Sequence, residues 1–124
     1  MNTTAKDIEL IQQTIECYID GNYYSDLEKI KKALHPNFQT IGYFEGELVF
    51  EPLEPYLKYL EELKPSESRE EFFMKIVSID VTGNAAVVKL YELILGQRAT
   101  DYLSLLKVDD NWVIVGELYY YEPQ

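Results

Sequence analysis

Apolar residues recur at helical spacing over about residues 5–20, at Ile8, Ile11, Ile15, Tyr18 and Ile19, and predict an amphipathic first helix. Thr4, with Asp7 three residues on, caps its start, and Gly21 after Asp20 is read as its stop. Ser25 and Glu28 form a capping-box pattern for a second helix with Leu27, Ile30 and Leu34 as its buried stripe, ended by His35-Pro36. Phe38 to Phe50 reads as a hairpin around Glu45-Gly46, with Ile41, Tyr43, Leu48 and Phe50 on one face. Pro52 and Pro55 open a third helix to about Leu63, with Leu53, Tyr56, Leu57, Leu60 and Leu63 as its stripe. The polar run from Lys64 to Glu70 reads as a loop.

From Glu71 the period changes to two. Strands are expected over about 71–82, 85–95, 98–108 and 111–121, with turns at Gly83-Asn84, Gly96-Gln97 and Asp109-Asp110. Helices followed by a long antiparallel meander make an α+β plan, a curved sheet with helices on one face. The 124 residues are expected to form one domain, without repeats or low-complexity segments.

Register points to a candidate site. Two-residue turns set Val81 against Ala86, Ile79 against Val88, Val77 against Leu90, Lys75 against Glu92, and Glu92 against Asp101. The same face runs on through Leu103, Leu105, Trp112, Ile114, Gly116, Leu118 and Tyr120, with Lys107 near a strand end, and is assigned to the helices. Lys75, Glu92 and Asp101 are thus three charges side by side on an otherwise apolar face, a costly arrangement unless paired or used. They form either an idle ion-pair network or a pocket in which Asp101, desolvated and repelled by Glu92, takes or gives a proton. A three-residue turn at any hairpin would move every later residue to the other face.

The expected cavity lies between the first and third helices and the concave sheet, walled by Tyr18, Tyr43, Tyr56, Phe73 and Tyr120. His35 either caps helix carbonyls or joins Asp101 as a catalytic group. The opposite face is expected to carry Met74, Ile76, Tyr91, Leu93, Tyr102, Leu106, Val113, Val115 and Tyr119. That much apolar surface predicts a homodimer through the sheets.

Charge and composition narrow the partners. A net charge of −11 argues against nucleic acid and against an anionic membrane surface. The eleven tyrosines suit pocket walls and interfaces. Cys17 is alone and His35 is the single histidine, so neither an internal disulfide nor a zinc-type ligand set is expected, and no cofactor is implied. The N-terminal MNTTAKDIEL lacks an apolar run of signal-peptide length, which makes the cytoplasm the expected location.

The segments LHPNFQTIGYFEGEL (34–48), IVSIDVTGNAAVVKL (76–90) and TDYLSLLKVDDNWVIV (100–115) resemble the lumazine-binding-like branch of small bacterial proteins. That branch lies within the nuclear transport factor 2-like superfamily, and the resemblance covers nearly the whole chain. It implies a cone-shaped, cystatin-like α+β fold with a pocket between helices and concave sheet, and commonly a dimer packed through the sheets. Relatives include ketosteroid isomerase, scytalone dehydratase and polyketide cyclases, alongside non-catalytic binding modules. By resemblance, Asp101 of the TDYLSLLK segment matches the pocket aspartate that serves such enzymes as acid or base. Two functions are therefore expected: a small-molecule-binding protein of unknown ligand, or a cofactor-independent lyase or isomerase.

Overall fold

The computed structural model describes residues 4–63, 72–94 and 96–123. The 64–70 loop, the strand start at Glu71 and the strand end at Leu95 lie outside these residues, as does the side chain of Leu63. The first helix, α1 (Ala5–Tyr24), begins with Thr4 and Asp7 in a capping box, as the sequence predicts. It does not stop at Gly21. The helix runs one turn further to Ser25, which takes the left-handed conformation at its C-cap. Gly21 instead makes room for α2 (Leu27–Ala33), since a Cβ there would lie 2.6 Å from Ile30 Cδ1. Asp26, rather than Ser25, caps α2 by accepting the Glu28 and Lys29 amides.

The chain then enters β1 (Leu34–Phe44) and β2 (Glu47–Pro52), crosses over by α3 (Leu53–Leu63), and continues as a meander. Its strands are β3 (Phe72–Thr82), β4 (Ala85–Ile94), β5 (Gln97–Val108) and β6 (Asn111–Tyr121). The sheet order is β2-β1-β6-β5-β4-β3. Every pairing is antiparallel except β1 with β6, which is parallel and joins the first hairpin to the end of the meander. The sheet is curved and open, and the helices pack on its concave face in the expected α+β architecture.

The core lies between helices and sheet. Ile11, Ile15 and Tyr18 of α1, Ile30 of α2 and Leu60 of α3 meet Val88, Leu90, Leu103 and Leu105, with Trp112 and Ile114 buried as expected. At the end of this core Asp7 accepts hydrogen bonds from Lys107 Nζ at 3.0 Å and Trp112 Nε1 at 3.2 Å. Lys107 and Trp112 hold the Asp7 carboxyl down to about 2. No helix among the described residues is long and apolar enough to cross a membrane.

Two β-bulges alter the expected faces. In β3, Ile76 pairs with Leu90 and Ser78 with Lys89, leaving Val77 as an extra residue. Before it, Met74 rather than Lys75 stands opposite Glu92, and Lys75 pairs with Tyr91. In β6, Ile114 pairs with Leu105 and Gly116 with Ser104, leaving Val115 as the extra residue. Beyond it, Glu117, Tyr119 and Tyr121 turn to the concave side, while Leu118 and Tyr120 turn outward. The β4–β5 turn closes between Ile94 and Gln97, so Glu92 pairs with Ala99 and Asp101 with Leu90. That two-residue slide preserves parity, and Glu92 and Asp101 remain diagonal neighbours on the inner face.

Candidate functional site

A cavity of about 330 Å³ opens between α1, α3 and the concave sheet, where the sequence places it. Tyr18 and Asn22 of α1 and Tyr56, Tyr59 and Leu60 of α3 form one side. Phe72 and Met74 of β3, with Ile94 of β4, form the apolar end. Thr40 and Phe44 of β1, Val49 and Glu51 of β2, and Tyr119 and Tyr121 of β6 close the rest. Gly42 makes this last wall possible. It pairs with Tyr119, whose ring lies 2.8 Å from where a Cβ would stand.

Three carboxyls reach the cavity from adjacent strands: Glu92 on β4, Asp101 on β5 and Glu117 on β6. One oxygen of each lies within 4.8 Å of the others. Glu92 is 3% exposed and Asp101 1%, while Glu117 is partly exposed. Tyr18 Oη donates to Glu117 Oε2 at 3.2 Å. Glu92 Oε2 and Asp101 Oδ2 have no donor from the described protein. Carboxylates only accept, so Asp101, between Glu92 and Glu117, can bond to them only by sharing protons.

Electrostatics follow from this crowding. Burial pushes the Glu92 carboxyl up to about 7, against a hydrogen bond with Asp101 that lowers it and with repulsion by Glu117 that raises it further. Burial also drives Asp101 well above the ordinary carboxylate range, opposed by its bond with Glu117 and reinforced by Glu92. Burial, then the nearby Asp101, hold Glu117 well above that range, despite the Tyr18 hydroxyl. Burial and the Glu117 charge raise the Tyr18 and Tyr56 phenols too. Like charges this close share protons, so the cluster titrates as a unit. Near neutral pH, Glu92 is the member poised to exchange a proton.

The cavity contains four of the sequence-predicted residues, Tyr18, Tyr56, Glu92 and Asp101, and excludes five. Lys75 and Phe73 point away because the Val77 bulge reverses the faces of the strand before it. Tyr120 points away because of the Val115 bulge and is 58% exposed. Tyr43 is 67% exposed because the parallel pairing with β6 turns Thr40 and Gly42 inward, leaving Ile41 and Tyr43 outside. His35 stands at the start of β1, where its Nδ1 accepts the Asn37 amide at 3.0 Å, away from the cavity. Met74, Ile76 and Tyr119, expected on the convex face, lie inside instead. Glu117 was not expected in the site. Its signal was Gly116, since an isolated glycine within a strand pattern marks a bulge.

Asn22 joins α1 to α3 along the helical side of the cavity. It accepts a hydrogen bond from Tyr56 Oη, and its Nδ2 donates to the Tyr18 carbonyl at 2.8 Å. The phenol that reaches Glu117 is thus carried on a helix tied to α3 within the same wall.

A family model described as "Putative lumazine-binding" matches residues 6–120. Aldolase FrzH from Cladobotryum sp is 23% identical over 124 residues, spanning 98% of this chain and 96% of that protein. An NTF2-like protein of unknown function from Shewanella baltica has a TM-score of 0.86 at 26% identity, covering 99% of this chain and 100% of its own. Another, from Silicibacter pomeroyi, has a TM-score of 0.87 at 23% identity, covering 98% and 100%. With the matched family spanning nearly every element that builds the cavity, the chain belongs to the lumazine-binding-like family of NTF2-like proteins.

Proposed function

We propose that the cavity binds a small, largely apolar organic molecule and that its carboxyl cluster moves a proton on it. The observation that carries this reading is the pair of buried oxygens, Glu92 Oε2 and Asp101 Oδ2, with no donor from the described protein. An apolar residue at either position would be cheaper for folding alone. In the proposed step, the Glu92 carboxylate takes a proton from a carbon next to a carbonyl. The C–H electron pair moves onto the carbonyl oxygen, and a protonated Asp101 or Glu117 donates a hydrogen bond to that oxyanion. Return of the proton from Glu92 to a different carbon of the conjugated enolate completes an isomerisation. Attack of the enolate carbon on a second carbonyl, whose alkoxide takes the proton from Glu92, completes an aldol addition. Similarity to a protein named aldolase supports the enolate step. These carboxyls suffice for it without a cofactor.

The test is incubation of the wild-type protein and Glu92→Gln with a bacterial metabolite extract in deuterium oxide. Wild type is expected to accelerate deuterium uptake into a carbon acid, and Glu92→Gln is expected to lose that acceleration. Binding of a metabolite without exchange would reduce the protein to a binding module.

We also propose that the convex face meets a second copy of the chain. Tyr43, Leu48 and Phe50 adjoin Ile41, and Ile41 pairs with Leu118 next to Tyr120, making an exposed apolar patch across β2, β1 and β6. Such a patch is larger than scattered surface apolar residues would give.

A further inference from the structure

Resting on the cavity being a small-molecule site, we propose that its ligand is an organic cation, a protonated amine held by Asp101 against the aromatic wall. Among the described residues, those lining the cavity include four acids, Glu51, Glu92, Asp101 and Glu117, and no lysine, arginine or histidine. Two of these acids are almost fully buried and present oxygens that no protein donor reaches. A neutral ligand can donate to these oxygens but leaves the charge of the ionised cluster uncompensated, and an anion is repelled by it. An ammonium group supplies donors and the compensating charge together.

The walls choose between kinds of cation. Seven of the described lining residues are aromatic, among them Tyr18, Tyr56, Tyr119 and Tyr121. Ring faces attract weakly hydrated organic cations. The carboxyl spacing also suits a metal ion, but a hard divalent ion seeks about six or more oxygens or retained waters, which apolar walls do not provide. The aromatic lining therefore favours the amine.

A bound cation also changes the proton inventory. Its charge lowers the neighbouring carboxyls and releases a proton from the cluster. Asp101 then faces the ammonium, Glu92 remains free to act as base, and Glu117 is left to donate to the oxyanion. Affinity for the cation is expected to rise with pH as the cluster ionises, whereas a neutral ligand gains nothing.

Tryptamine and its neutral isostere tryptophol, titrated calorimetrically into the wild-type protein, test this directly. Tryptamine is expected to bind roughly tenfold or more tightly, with affinity increasing between about pH 6 and pH 8 and with proton release seen as a buffer-dependent enthalpy. Asp101→Asn is expected to abolish the preference. Equal binding of the two probes overturns the amine assignment while leaving the small-molecule site intact. Failure of tryptamine and homologous arylalkylamines to bind also overturns it. If Glu92 additionally titrates at its ordinary value, the parent reading falls with it. Uptake of Mn²⁺ that excludes tryptamine overturns the assignment in favour of a metal site.

Discussion

Tyr18 on the first helix donates a hydrogen bond to Glu117 on the last strand, 99 residues away in sequence, at 3.2 Å. This bond connects the helical wall of the cavity to its carboxyl floor. It depends on the Val115 bulge, without which Glu117 would face outward. Tyr18→Phe leaves a part-buried carboxyl oxygen without its donor and is expected to cost about 1–3 kcal/mol. Urea unfolding measures this cost. Tyr18→Phe combined with Glu117→Met is expected to recover part of it, because both polar partners are then gone.

Stability should vary with pH in two opposite ways. Glu92 is raised in the folded state from 4.5 to about 7, so the folded protein holds its proton more tightly than the unfolded chain. Stability is therefore expected to fall as pH rises from 4.5 towards 7, by on the order of 3 kcal/mol from this group. Asp7 is lowered from 3.8 to about 2, so its contribution is present above 3.8 and lost as pH falls through 2. Urea midpoints across pH for wild type and Glu92→Gln check the first effect, which the substitution should reduce. Asp7→Asn should remove its share of the acid-side loss.

Lys75→Met tests the bulge in β3. With Lys75 exposed and opposite Tyr91, its removal should leave the Glu92 titration within about 0.3 units of wild type. An upward shift of a unit or more would place the ammonium beside the carboxyls and contradict the observed register.

Self-association is tested by charging the convex patch. Leu118→Glu with Tyr120→Lys should convert a dimer to a monomer in small-angle scattering, leaving the cavity side unchanged. A wild-type protein that is already monomeric at micromolar concentration would contradict the proposed interface.

The elements were legible from the sequence because their boundaries carry chemical markers. Thr4 and Asp7 cap a helix, and Gly83 and the Asp109-Asp110 pair occupy positive-φ turn positions, where these residue types are tolerated. The faces were less legible. Each bulge falls on a valine within an apolar run, Ile76-Val77 in β3 and Trp112-Val113-Ile114-Val115 in β6. A period-two pattern gives such runs no preferred face. Glu92 and Asp101 were assigned to the correct face because the strands between them carry no bulge. Lys75 and Glu117 lie beyond the bulges, and there the expected Lys-Glu-Asp triplet gives way to three carboxyls. His35 has the sequence context of a functional residue, but its hydrogen bond to the nearby Asn37 amide is a local turn contact.

The three carboxyls share protons in a desolvated cavity, and Glu92 is the one poised near neutrality. Carbon-13 NMR titration of the Glu92 side-chain carboxyl tests it most directly. The expected midpoint is about 7, displaced by Asp101→Asn because the two groups are coupled. A midpoint at or below 4.5, unaffected by that substitution, would mean that Glu92 is an ordinary solvated carboxylate that shares no proton with Asp101 or Glu117.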